Sequence, residues 1–307
     1  MDIIILLFGF SIGLVLLVKG ADEMVSSAIQ IALKFKLPSS IVGATFIGFG
    51  TSAPELFAST RAALKGDLDL GIGNIVGSNI ANSLLVVAVL YLALPKDYSK
   101  KINLNKISPT WMAILTTIFV STYLLTNKFP FLLGVALLVL VLYVIYKMIS
   151  SESDDEEDFI EEEKSYVWLR GGMSLIATLY GSQLVVENAV EIASIFGVSS
   201  LVIGSTIIAI GTSLPEVAGT ISAAKMRKPD IVFGNIFGSN LFNIGLVGGA
   251  AIMISPGEIS SAIDYQLFIM YFVSFVVIFL SRNIIKRNSI LGYVFIALYV
   301  LFLISLF

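Results

Sequence analysis

The sequence predicts an all-α membrane protein in which ten transmembrane helices form two inverted five-helix repeats. Three observations predict it. Hydrophobic residues make up 57% of the chain and charged residues only 13%, about half the charge of an ordinary soluble domain. The chain also repeats itself. Gly50-Thr51-Ser52-Ala53-Pro54-Glu55 returns as Gly211-Thr212-Ser213-Leu214-Pro215-Glu216, and Gly73-Asn74-Ile75-Val76-Gly77-Ser78-Asn79 returns as Gly234-Asn235-Ile236-Phe237-Gly238-Ser239-Asn240. Asn82 and Asn243 keep the same 161-residue spacing. Finally, Lys and Arg collect on alternate connections, which orients the spans.

Spans of roughly 20 residues match the thickness of a bilayer core and fall near 3–20, 41–63, 70–94, 109–126, 130–149, 167–186, 201–224, 231–253, 264–281 and 289–306. The run from Ile3 to Val18 has no basic region before it and no small-residue cleavage site after it. It reads as a first span, not as a removed signal peptide. The second and third spans carry the first polar cassette, and the fourth and fifth are largely apolar. Acidic residues crowded between Glu152 and Glu163 cannot form a core and read as a solvated connector. Residues 151–165 therefore divide a first half, 1–150, from a second, 166–307. The seventh and eighth spans carry the second cassette. The repeat reaches the first span of each half, since Gly20, Ala28, Ile31, Ala32 and Phe35 match Gly181, Ala189, Ile192, Ala193 and Phe196. The last two spans of each half show no such identity.

One side of the predicted topology collects Lys19, Lys34, Lys36, Lys96, Lys100, Lys101, Lys106, Lys147, Lys164, Arg170, Lys225, Arg227, Lys228, Arg282, Lys286 and Arg287, while the other holds Arg61, Lys65 and Lys128. That bias places the acidic linker in the cytoplasm and both termini outside a plasma membrane. With five spans per half, the span of Glu55 and the span of Glu216 run in opposite directions. Inverted repeats of this kind are the architecture of alternating-access transporters.

Several function classes fall away. The chain has no Cys and no His, so disulfides, thiol catalysis and imidazole proton shuttles are excluded. A Ser–His intramembrane protease lacks its base, and no paired Asp residues occur in the spans. The net charge of −3 offers no basic surface for nucleic acid. The expected protein is not an enzyme, carries no cofactor, and acts as a monomer whose partners are the bilayer and its transported ions.

The cassettes carry the chemistry. A carboxylate in mid-span costs roughly 2.5–3.5 kcal/mol on the insertion scale, and both copies keep theirs. On a helix Thr51, Ser52 and Glu55 share a face with Gly48, as Thr212, Ser213 and Glu216 do with Ala209. Ser78 and Asn82 are four residues apart, as are Ser239 and Asn243. Every polar atom of these sets that would meet a cation is an oxygen, the ligand hard ions such as Ca²⁺ and Na⁺ require. Pro54 and Pro215 should break or kink their helices and free the carbonyls of Gly50 and Gly211. Asn79 and Asn240 are read as hydrogen bonds between helices and left outside the site. Two carboxylates balance one Ca²⁺ or two Na⁺.

These paired motifs resemble the two α-repeats of the cation/Ca²⁺ exchanger superfamily, and its short prokaryotic Na⁺/Ca²⁺ exchangers fit best. The resemblance covers nearly the whole chain. It implies that Glu55 and Glu216 are shared Ca²⁺ and Na⁺ ligands, that Thr51, Ser52, Ser78, Thr212, Ser213 and Ser239 supply further oxygens, and that Gly48 and Ala209 offer backbone carbonyls. Asn82 and Asn243 complete the set. It also implies that the first span of each half slides across a rigid core. Gly48 stands where the family has alanine, a small change if its carbonyl is the ligand. Some relatives carry Asp where this chain has Asn243, which argues against K⁺ coupling. Thr51-Ser52 and Thr212-Ser213, where proton-coupled relatives carry Asn, favour Na⁺ over H⁺. An H⁺/Ca²⁺ antiporter of the same superfamily and a passive cation channel are the alternatives.

Overall fold

The computed structural model describes residues 3–101, 104–150, 166–197, 211–282 and 284–306. The acidic linker, Ala209 and most of the N-terminal part of the seventh span lie outside the described residues. The helices are α1 (Ile3–Phe35), α2 (Ser39–Thr51), α3 (Ala53–Leu64), α4 (Leu68–Ala93), α5 (Ile107–Thr126), α6 (Phe131–Ile149), α7 (Val167–Ile195), α8 (Leu214–Lys225), α9 (Pro229–Ile254), α10 (Asp264–Ser281) and α11 (Ser289–Ile304). Six of them, α1, α4, α5, α6, α9 and α10, are long and apolar enough to cross a membrane, and α2 with α3 passes as a pair bent by 46°. Among the described residues α7 does not pass that test, because Arg170, Glu187 and Glu191 interrupt it, and α11 is a shorter apolar helix.

The first helix of each half runs past its expected span. At 1.5 Å per residue, the 33 residues of α1 reach about 50 Å, more than a bilayer core of about 30 Å. Its last turns are buried against protein from Gly20 to Ala32, so packing extends the helix beyond the lipid-facing run. α7 likewise continues to Ile195.

Both halves end these first helices in the same way. Lys36 (φ 52°) and Gly197 (φ 75°) are left-handed, and so are Gly66 (φ 78°) and Arg227 (φ 59°) in the turns before α4 and α9. Each pair keeps the 161-residue spacing, so the repeat is written in the backbone as well as in side chains. A non-glycine residue rarely takes this conformation; Arg227 does so while its guanidinium meets Asp97 at 2.6 Å. That neighbour holds the exposed Asp97 carboxyl below its ordinary range.

Two short antiparallel pairings tie the halves together. Strand β1 (Ser99–Lys101) follows α4 and pairs with β4 (Ile284–Lys286), which joins α10 to α11. Strand β2 (Lys128–Phe129), between α5 and α6, pairs with β3 (Gly257–Glu258), which follows α9. One end of the bundle thus holds the C-terminus of α4 with that of α10, and the other the C-terminus of α9 with that of α5.

Between the halves, backbones approach closely. A Cβ at Gly238 on α9 would lie 2.3 Å from the carbonyl oxygen of Ala44 on α2. A Cβ at Gly181 on α7 would lie 2.4 Å from the Leu17 nitrogen and 2.8 Å from the Gly13 oxygen on α1. Small residues permit such contacts where lipid provides no hydrophobic drive for helix association. Arg170 on α7 also pairs with Glu23 on α1 at 2.5 Å. Gly181→Ala is expected to destabilise the fold by about 1–3 kcal/mol through overpacking, while Gly172→Ala, which meets nothing within 4 Å, is neutral or mildly stabilising. Thermal melting of both variants in detergent checks the contrast.

Candidate functional site

Each cassette carboxylate begins a helix. The chain leaves α2 at Ser52 (φ −83°, ψ 2°) and re-enters helix at Ala53, with Pro54 and Glu55 in the first turn of α3. Ser213 (φ −93°, ψ 3°) plays the same part before Pro215 and Glu216 in the first turn of α8. The expected break is present, but the prolines start new helices instead of kinking old ones. Within a first turn the missing proline N–H would have had no helical partner. The partial positive charge at a helix start also favours an anion there. The break lets main-chain bonding resume, with the Leu56 N–H donating to Ser52 O at 3.2 Å and the Val217 N–H to Ser213 O at 3.0 Å. The Gly211 carbonyl, expected to be freed, accepts the Ser182 hydroxyl of α7 at 3.1 Å.

The other cassette residues sit on α4 and α9. Each helix changes to a π turn at its asparagine, over Asn82–Val86 and Asn243–Gly248, and α2 has one over Gly43–Gly48. π turns within α-helices are rare and gather at functional sites.

The structure buries Gly48, Thr51, Ser52, Glu55, Ser78, Asn82, Ser213, Glu216, Ser239 and Asn243. Thr212 is exposed, and Ala209 lies outside the described residues. Contacts join the sets within and across the halves. The Ser78 hydroxyl donates to Glu55 Oε1 at 3.5 Å, and Thr51 Oγ1 lies 3.5 Å from Ser239 Oγ. Ser239 also donates to the Gly48 carbonyl at 3.2 Å. Adjacent oxygens at right angles around an ion 2.4 Å away stand about 3.4 Å apart. The separations here are of that size.

Among the described residues six buried side-chain oxygens have no hydrogen-bond partner in the protein; Thr220 Oγ1 and Ser222 Oγ lie further along α8, and the other four belong to the predicted site: Ser52 Oγ, Glu55 Oε2, Glu216 Oε2 and Asn243 Oδ1. Leaving such atoms unpaired in an apolar interior is costly, and two of the four belong to carboxylates. Among the described residues no group of three Asp, Glu, His or Cys gathers as a metal cluster. The available donor set is two carboxylates among neutral oxygens, which suits a hard cation.

Two cavities meet at Thr212. One of about 160 Å³ is lined by Asn74, Gly77, Ser78, Ser213, Gln266 and Tyr299 among others. The other, about 590 Å³ and mostly apolar, is lined by Pro54, Phe57, Tyr180, Glu187 and Pro215 among others. Sequence reasoning missed Ser182, which has no signal because Ala21 stands at the matching position of the first half. It also set aside Asn79 and Asn240, although the repeat displayed them.

The chain matches the family described as sodium/calcium exchanger protein over residues 5–151 and 166–307. It is 32% identical to the inner membrane protein YrbG of Escherichia coli, over 89% of this chain and 88% of that protein. It is 29% identical to the sodium/calcium exchanger MaX1 of Methanosarcina acetivorans, over 96% of this chain and 97% of that one. The solved structure of the sodium-calcium exchanger NCX_Mj, soaked with zero Na⁺ and Ca²⁺, superposes with a TM-score of 0.83 at 28% identity, covering 99% of this chain and 100% of that chain.

Glu55→Gln and Glu216→Gln each remove one anionic oxygen while keeping side-chain volume. Ca²⁺ is expected to raise the melting temperature of the wild type, and both variants are expected to fold and to lose that rise. A Ca²⁺ shift of wild-type size in either variant would count against the assignment.

Proposed function

Because the chain belongs to the sodium/calcium exchanger protein family and is a membrane antiporter of Na⁺ and Ca²⁺, we propose that Glu55 and Glu216 are the carboxylates both ions share as the site alternates between the two sides. Thr51, Ser52, Ser78, Thr212, Ser213 and Ser239 supply further oxygens, Asn82 and Asn243 their amide oxygens, and Gly48 and Ala209 their carbonyls. The observation that carries this reading is that four buried oxygens of this residue set, drawn from both halves, have no partner in the protein. Their cargo is an ion in transit, so the family is one of transporters and not of enzymes.

The proposed architecture is ten spans in two inverted halves, 1–150 and 166–307, with residues 151–165 as a cytoplasmic linker and both termini outside. The strand pairings support inversion. They put the end of α4 beside the end of α10, and the end of α9 beside that of α5. Corresponding helices of the two halves then run in opposite directions. The relative YrbG is named as an inner membrane protein, which supports placement in the plasma membrane. In the proposed cycle α1 and α7 move as one body, and their glycine-mediated contact and the Arg170–Glu23 ion pair support that joint motion.

Charge sets the coupling. Two carboxylates neutralise one Ca²⁺ or two Na⁺, so a load of more than two Na⁺ leaves the site positive. Such a load moves charge through the membrane field, worth about 2.3 kcal/mol per charge per 100 mV. Neutral asparagines at 82 and 243 and the Thr-Ser pairs favour Na⁺ over H⁺ as the exchanged ion. In proteoliposomes, an outward Na⁺ gradient is expected to drive Ca²⁺ uptake, and a pH gradient without Na⁺ is not. Uptake indifferent to Na⁺ would overturn the coupling, and uptake driven by the pH gradient would establish the proton-coupled alternative.

A further inference from the structure

Asn79 and Asn240 occupy matching positions in the two cassettes, and both are fully buried. Neither belongs to the ligand set above. Each instead holds a ligand asparagine of the opposite half. Asn243 Nδ2 donates to Asn79 Oδ1 at 3.0 Å, and Asn82 Nδ2 donates to Asn240 Oδ1 at 3.1 Å. The two bonds are images of one another under the 161-residue repeat.

The holders are themselves fixed. Asn79 Nδ2 donates to the main-chain oxygen of Asn240 at 3.4 Å and lies 3.7 Å from Met270 Sδ. Asn240 Nδ2 donates to Ser83 Oγ at 3.2 Å. A primary amide has a donor end and an acceptor end. A main-chain oxygen can only accept, so it turns the Asn79 NH₂ toward Asn240 and the Asn79 oxygen toward Asn243; the Ser83 hydroxyl can donate or accept, and Asn240 presents its oxygen to Asn82 when that hydroxyl accepts. Asn243 and Asn82 then answer with their NH₂ groups, which leaves the carbonyl ends for other use. Asn243 Oδ1 is accordingly buried without a protein partner. An NH₂ turned toward a cation would repel it, so the sense of this amide decides whether position 243 is a ligand or an obstacle.

We propose that Asn79 and Asn240 are positioning residues that fix the amide sense of Asn243 and Asn82 across the interface between the halves, so that oxygen faces the ion. The inference rests on the ion-site reading of Asn82 and Asn243 given above. It changes the role of Asn79 and Asn240 from helix adhesion to orientation of the site, and it links the halves through the ligands themselves. Partners that orient metal ligands typically contribute 10- to 100-fold in affinity when lost.

The test is a double-mutant cycle on Na⁺-gradient-driven Ca²⁺ uptake, with half-saturating Ca²⁺ as the readout and melting temperature as a separate measure of folding. Asn79→Ala is expected to raise half-saturating Ca²⁺ roughly 10- to 100-fold. Adding it to Asn243→Ala is expected to bring no further rise, because the residue it orients is gone. Asn240→Ala with Asn82→Ala should behave alike, and it decides the question if Asn79→Ala does not fold. A merely structural role predicts a lower melting temperature with unchanged half-saturation, or effects that multiply in the double variants. Either result overturns the proposal. If Asn243→Ala and Asn82→Ala alone leave half-saturating Ca²⁺ unchanged, the ligand reading fails first, and this inference with it.

Discussion

Two carboxylates enclosed in an apolar helical bundle are the constraint on which this structure depends. An isolated buried carboxylate is expensive, and among the described residues neither Glu55 nor Glu216 is paired with Lys or Arg. Each carboxylate stands in the first turn of a helix that a chain break creates, where the helix dipole favours it. Glu55 accepts from the Ser78 hydroxyl, and one oxygen of each carboxylate stays unpaired. An Arg or Lys counter-ion would satisfy the same charge permanently. Neutral oxygen donors leave it free to meet a cation and release it, as the proposed ion site requires.

The break and the close packing follow from that requirement. A continuous helix through Glu55 would carry its side chain on an unbroken cylinder, with no helix start beside it. The bend at Ser52 puts a turn of irregular backbone next to the carboxylate, and backbone of that kind is tolerated at membrane depth where it is enclosed by protein. Glycines on α9 then let that helix approach α2 until Ser239 touches both Thr51 and the Gly48 carbonyl. The interface between halves therefore holds the proposed site.

The cross-half amide bonds extend this logic. Asn82 and Asn243 open the π turns of α4 and α9, and their NH₂ groups are held by asparagines of the other half. A change in how the halves sit would disturb the orientation of these two amides, which couples the geometry of the proposed site to packing through hydrogen bonds.

Much of this was legible in the sequence because it is local or repetitive. The apolar composition made the chain a membrane protein, the duplicated cassettes marked Glu55 and Glu216, and the prolines located the helix breaks. Helix lengths were less legible. α1 runs to Phe35 because protein replaces lipid around its last turns, a fact of packing that hydropathy does not record. Asn79 and Asn240 were visible in the repeat, yet their role depends on which amide end meets which partner across the halves. Ser182 on Gly211 left no trace, since it has no counterpart in the first half. The sequence by itself determined the inventory of oxygens and their doubling, because residue type and spacing are properties of the chain. Only the tertiary structure decided which oxygens are satisfied and which stay open, because that depends on contacts between residues far apart in sequence and brought together by packing.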